Sequence, residues 1–226
     1  MGEAKRRGNG PSDHRLSVTV CVPTIPGRED LRMRAEISIM QQTRQPDDLI
    51  VLVDEERRGA AWARNEMLSK VTTDVIAWLD DDDYLMPGHI RSCMRVLEQS
   101  PFKPDLVYPR PQMVGGRDPT ATTHLGVFPV SPWGLRFSQE MAAHIRHVGS
   151  FIPMTHAVKT ESVRKIGGFP EGRMLSDHRY QGEDERYLIN LLDAGAIFEH
   201  LDQKTWYWFV NKKSTAGLGQ KGITAS

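Results

Sequence analysis

An apolar run, Val75-Ile76-Ala77-Trp78-Leu79, ends directly on four consecutive aspartates, Asp80 to Asp83. A short run rich in β-branched and aromatic residues reads as a buried strand. Its C-terminal end therefore delivers carboxylates to one edge of a sheet. Neighbouring carboxylates a few ångströms apart repel by about 1 kcal/mol per pair in water, and by about four times that at an effective dielectric near 20, so something must offset them. In an extended segment alternate side chains share a face, which puts Asp80 and Asp82 together and turns Asp81 and Asp83 away. Two carboxylates on one face suit a hard divalent cation, Mg²⁺ or Mn²⁺, that keeps positions open for phosphate oxygens. The competing reading is a solvated acidic turn. The run follows a buried strand instead of lying in a polar tail, which favours the metal.

The same strand signal recurs upstream. Leu16 to Pro23 and Asp48 to Asp54 are apolar and β-branched. Between these strands, Asp30 to Gln42 carries Leu31, Ala35 and Ile39 at four-residue spacing, an amphipathic helix. Ala60 to Lys70 reads as a second helix. Pro87 to Gln99 reads as a third, with Pro87 suited to its first turn, and Asp105 to Tyr108 reads as a fourth strand. Strands that are apolar throughout, alternating with helices, indicate an α/β fold with a Rossmann-like, mostly parallel central sheet flanked by helices. Ligands of such sheets bind beyond the C-terminal strand ends, where Thr24 to Arg28, Asp54 to Arg58 and Asp80 to Asp83 should converge.

The second half is less regular. Residues 110–147 are loop-rich and include Trp133. Strands are expected at Val148 to Pro153, Ala196 to His200 and Thr205 to Val210. Helices are expected at Thr160 to Ile166, ended by Gly167-Gly168, and at Glu183 to Ala194, ended by Gly195. Residues 1–15 are polar and basic, which predicts a mobile arm, and 212–226 read as a flexible tail or lid. Residues 16–211 form one domain, with 16–110 and 111–211 as its two halves.

With 226 residues the chain can build one substantial core. Lys+Arg and Asp+Glu are each 29, a net charge of zero that provides no global basic field for nucleic acid or anionic membrane. Cys21 and Cys93 lack metal-type spacing and read as buried hydrophobes in a reduced compartment. No stretch approaches the roughly 20 apolar residues of a bilayer span, and the first residues lack a secretory apolar segment. A cytoplasmic protein is the expectation. The histidines at 124, 144, 147, 156 and 178 lack zinc-site spacing and read as structural or substrate-facing. No Walker loop, no G-x-G-x-x-G and no G-x-S-x-G occurs.

Several segments together resemble a known family. Val18-Thr-Val-Cys-Val-Pro-Thr24, Asp48-Leu-Ile-Val-Leu-Val-Asp54, Gly59-Ala-Ala-Trp-Ala-Arg-Asn65 and Val75-Ile-Ala-Trp-Leu-Asp-Asp-Asp-Asp83 follow the order and spacing of family-2 glycosyltransferases with a GT-A fold. Gly167-Gly168-Phe169 and Gly182-Glu183-Asp184-Glu185 resemble that family's later motifs. The resemblance spans about residues 16–215. It implies transfer of a sugar from a nucleotide-sugar, a UDP-sugar first, to an acceptor hydroxyl with inversion. Residues 16–110 would then be the nucleotide-sugar half and the loop-rich 111–211 the acceptor half.

The resemblance implies roles residue by residue. Asp82 is the surest metal ligand, with Asp80 beside it, while Asp80 and Asp81 face the donor. Thr24, Arg28, Asp54, Glu55, Arg64 and Asn65 fall at donor-binding positions, with Arg64 suited to phosphate oxygens. Glu55 replaces the second aspartate of a pair that in the family reads uracil and ribose, which leaves the base open. Asp184 matches the general base, with Glu183 beside it. The alternative is that acids in a first helical turn only favour the helix dipole. Asn211 stands near the place of a family histidine, so the metal sphere closes differently, or Lys212 and Lys213 meet the diphosphate. Asp83 is balanced between this site and a capping role in the next turn. The rival functions are a haloacid-dehalogenase-like phosphatase, whose nucleophile normally follows the first strand, and a catalytically silent nucleotide- or sugar-binding module. The acceptor class stays open among saccharide, lipid carrier, protein, small molecule and modified nucleic-acid base.

Overall fold

The computed structural model describes residues 15–115, 135–171, 174–176 and 179–209. Trp133, His124, His178, Asn211, Lys212, Lys213 and the two terminal segments lie outside them. The elements in chain order are β1 (Val18–Thr24), α1 (Glu29–Met40), β2 (Asp48–Val53), α2 (Ala60–Lys70), β3 (Val75–Trp78), β4 (Tyr84–Leu85), α3 (His89–Gln99), β5 (Leu106–Val114), α4 (Gln139–His147), β6 (Ala157–Lys159), α5 (Thr160–Lys165), β7 (Met174–Ser176), β8 (Arg179–Gln181), α6 (Glu183–Asp193) and β9 (Phe198–Phe209).

Among the described residues, a seven-stranded sheet has the order β2-β1-β3-β6-β5-β9-β4, and β7 and β8 form a separate hairpin. β1 pairs parallel with β2 and β3, and β5 parallel with β9. β6 runs antiparallel to both β3 and β5, and β4 antiparallel to β9. Five of the seven strands thus run one way, the mostly parallel sheet expected from the apolar runs.

Alternation along the strands explains why both faces are covered. Val18, Val20 and Val22 of β1, with Val75 and Ala77 of β3 and the following Leu79, pack with α1 and α3 residues such as Ala35, Ile39, Ile90 and Met94. Cys21, Ile76 and Trp78 point the other way, against Met67 of α2, Met141 of α4 and Tyr187 and Leu191 of α6. Cys21 and Cys93 are free and fully enclosed, and burial pushes each thiol up to about 12.

Several sequence expectations shift. Pro87 stands ahead of the α3 N-cap, Gly88. Its carbonyl accepts from the Thr43 N–H at 2.8 Å, which holds it in the preceding turn. Val148–Pro153 forms no strand; Phe151 and Ile152 are buried as irregular chain. The two strands expected near the C-terminus are one strand, β9, whose register against β5 shifts around Pro109 and Arg110, a local irregularity that absorbs the polar Asp202-Gln203-Lys204 stretch. β4 had no sequence signal, since two residues show no periodicity. On α1 only one stripe is buried, and Met33, Ile37 and Met40 are 57%, 42% and 73% exposed. No helix among the described residues is long and apolar enough to cross a membrane.

Candidate active site

Because β1, β2 and β3 are parallel, their C-terminal ends share one edge, and the three polar clusters expected there do meet. The Asp54 N–H donates to the Thr24 carbonyl at 2.8 Å. Arg57 Nη2 donates to the Pro26 carbonyl at 3.3 Å. Arg28 reaches the aspartate run.

That run is a turn, not an extended strand end. The Asp83 N–H donates to the Asp80 carbonyl at 3.0 Å, so the four side chains splay instead of alternating. Asp81 is buried and accepts from Thr24 Oγ1 at 2.5 Å. Asp81 and Asp82 share one nitrogen, Arg28 Nη2, at 2.9 Å each. Asp80 turns to Arg64, whose Nη2 lies 2.9 Å away. Asp83 points inward, accepting from Thr155 Oγ1 at 3.1 Å and from the Phe209 N–H at 3.4 Å. It ties the turn to β9 and to the segment before β6, so its partners are structural. The sharing expected of Asp80 with Asp82 is instead that of Asp81 with Asp82, because a turn rotates successive residues out of the pleat.

The carboxyls carry the mark of this crowding. Burial pushes Asp81 up to about 6, against the pull of Thr24 and Arg28. Burial and then the Asp80 charge raise Asp82. Asp83 is raised well above the ordinary range, by burial first and then by Asp80 and Asp82. The cluster is short of positive charge even with Arg28 in place.

Arg64 extends the site. It is buried on α2, and its Nη1 lies 3.2 Å from Glu183 Oε1 in the first turn of α6. Burial opposes the guanidinium charge, and Asp80 and Glu183 more than restore it, holding its pKa above the arginine norm. The Phe169 ring lies 5.4 Å from its guanidinium carbon. One arginine thus joins the aspartate turn to the helix that carries Asp184. Asp184 itself is exposed. Its Oδ1 accepts from the Glu185 N–H at 2.8 Å. Desolvation by the surrounding protein and then Glu183 raise its carboxyl, against the pull of the Glu185 N–H and Arg64.

Other expected site residues take different places. Asp54 is buried, and its two oxygens accept from the Arg58 and Gly59 N–H groups at 3.0 and 2.8 Å. It braces the loop that opens α2, where Gly59 has φ +114°. Glu55 is exposed beside it. Asn65 turns away from the aspartates. Its Nδ2 donates to the Phe169 carbonyl at 2.8 Å and to Glu171 Oε1 at 3.1 Å, and its Oδ1 accepts from the Phe169 N–H at 2.7 Å. A Cβ on Gly168, which has φ +85°, would collide with that Asn65 oxygen. Thr155 escaped the sequence reading, since it reaches the site only through β6 lying beside β3. His156 is enclosed, with Nδ1–H donating to the Pro153 carbonyl at 3.0 Å, and burial lowers it to about 4.

Asp80 and Asp82 fit a divalent cation. They are hard oxygen donors, and their side chains, 38% and 18% exposed, are more open than that of Asp81 at 6%. Among the described residues no group of three or more acidic, histidine or cysteine side chains is gathered so that it could hold a metal ion.

A family model for glycosyl transferase family 2 matches residues 34–167, more than half of the chain. The chain belongs to that family, which removes the phosphatase reading. Solved structures share the fold. TarS 1-349 from S. aureus superposes with a TM-score of 0.64 at 16% identity, covering 86% of this chain and 60% of that one. Its complex with UDP-GlcNAc gives 0.66 at 15%, covering 92% and 62%. The mannosyltransferase PcManGT from Pyrobaculum calidifontis, in complex with GDP-Man and Mn²⁺, gives 0.60 at 16%, covering 89% and 59%. The chain spans about 60% of the length of these structures. No curated protein sequence matches it.

Proposed function

We propose that this chain is a glycosyltransferase that moves a sugar from a nucleotide-sugar to an acceptor hydroxyl, with inversion and with a divalent cation, Mn²⁺ or Mg²⁺, held by Asp80 and Asp82. The observation that carries this reading is the Asp80–Arg64–Glu183 bridge, which sets the acidic turn beside the helix bearing Asp184. The structural neighbours bound to UDP-GlcNAc and to GDP-Man with Mn²⁺ support the donor class. A UDP-sugar is the first choice of donor.

When bound, the cation supplies charge stabilisation for the departing diphosphate. The chain's own groups do the rest. Thr24 and Asp81 line the nucleotide side of the cleft, and Asp54 fixes the loop that presents Glu55. Arg64 orients Asp80 and Glu183. Asp184 takes the acceptor hydroxyl proton during attack, a role that suits a carboxyl whose proton affinity is raised.

Incubation with a panel of UDP- and GDP-sugars and Mn²⁺, followed by release of free nucleotide, tests the proposal. Donor hydrolysis or transfer that needs the metal is expected. Absence of both turnover and metal-dependent nucleotide binding across the panel would refute it.

A further inference from the structure

Arg28 and Arg64 each hold two carboxylates, but in different ways. Arg64 gives Asp80 and Glu183 separate nitrogens, Nη2 and Nη1. Arg28 divides a single nitrogen, Nη2, between Asp81 and Asp82. Its Nε is buried and has no hydrogen-bond partner among the described residues. Arg28 thus commits one nitrogen to its two carboxylates where Arg64 commits two. Its side chain is 31% exposed against 6% for Arg64, which leaves it a way out. The backbone beneath it is anchored, since Arg57 bonds the Pro26 carbonyl two residues earlier. The side chain can swing while its turn stays in place.

Asp82 is also one of the two carboxylates assigned above to the divalent cation. A guanidinium 2.9 Å from that carboxylate and a doubly charged ion on the same group repel each other. We infer that Arg28 is a placeholder cation: it partly offsets the charge of Asp81 and Asp82, yields Asp82 to a metal when one binds, and turns toward the phosphates of the nucleotide. The inference rests on the reading of Asp80 and Asp82 as metal ligands. It makes metal and nucleotide bind with positive coupling, because the ion releases the arginine that the nucleotide uses. Such coupling is reciprocal.

Titration of the full chain with Mn²⁺, with and without UDP, tests this by calorimetry or by the spectrum of free Mn²⁺. Arg28→Gln should bind Mn²⁺ alone about tenfold more tightly than the wild type, and the gain in Mn²⁺ affinity on adding UDP should shrink. Asp82→Asn should lose Mn²⁺ binding. Unchanged or weaker Mn²⁺ affinity in Arg28→Gln, alongside loss in Asp82→Asn, overturns the placeholder and leaves the metal reading standing. Undiminished Mn²⁺ binding in Asp82→Asn overturns both. Should Arg28→Gln fail to fold, Arg28→Met carries the test: it keeps an unbranched side chain and removes the charge, so Mn²⁺ affinity should rise by about the same factor, and no rise overturns the inference.

Discussion

At the scale of single residues, the site divides into groups that hold their neighbours and groups left to meet a substrate. In the proposed function Asp184 is of the second kind. Asp184→Asn should reduce transfer by at least about a hundredfold, the usual contribution of a general base, while leaving UDP affinity within about twofold; retained turnover would remove the assignment. The acid limb of the rate profile should lie above the ordinary aspartate range, since crowding and Glu183 raise that carboxyl. Arg64 is of the first kind. Arg64→Lys keeps a charge but cannot give Asp80 and Glu183 two separate planar nitrogens, so transfer should fall at least about tenfold with the fold intact by circular dichroism. The meeting of the aspartate run with the loops after β1 and β2 was legible in the sequence. The division of labour within it was not, because the partners Arg28, Thr155 and Glu183 arrive from elements distant in the chain, and because an Asp80–Asp83 turn replaces the pleat on which alternation depends.

At the scale of elements, the first three strands and three helices follow from periodicity, with boundaries displaced by at most two residues, whereas β5 runs on from the expected Tyr108 to Val114 through a stretch expected to be loop. Apolar runs covered on both faces have few other solutions. The second half was harder to read. β9 hides a polar stretch inside one long strand, and Phe151 and Ile152 are buried without belonging to a strand, so burial and strand pattern come apart there. The Gly167-Gly168-Phe169 motif was visible, yet its meaning lies in Asn65, which clasps the turn from α2. Gly168→Ala should therefore cost about 1–3 kcal/mol, from a left-handed backbone angle combined with the collision against Asn65. Asn65→Ala should cost about as much by leaving the buried Phe169 N–H without its acceptor. Urea denaturation of both variants measures this, and a change under about 0.5 kcal/mol, the range of an ordinary surface substitution, would show the clasp to be incidental.

At the scale of the whole molecule, acid stability reports how the core treats its buried histidines. His89 is fully enclosed between Thr205 and Cys93, and burial lowers it to about 3. The unfolded chain protonates this ring near 6.5, so between that value and about 3 the unfolded state binds the extra proton, and stability falls as pH falls. His89→Asn keeps a hydrogen-bonding atom near Nδ1 but cannot titrate. The stability advantage of the wild type over this variant should therefore shrink by up to about 1.4 kcal/mol per pH unit below 6.5, measured by urea titration at pH 7, 6 and 5; a constant difference would mean that the ring is already charged in the fold. The bridging guanidinium has a consequence of its own for incomplete chains. Arg64 and Glu183 are 119 residues apart, so a fragment released before residue 183 retains every aspartate of the turn and none of the opposing wall. Partial synthesis or proteolytic clipping there leaves a remnant with the acidic turn but without Asp184.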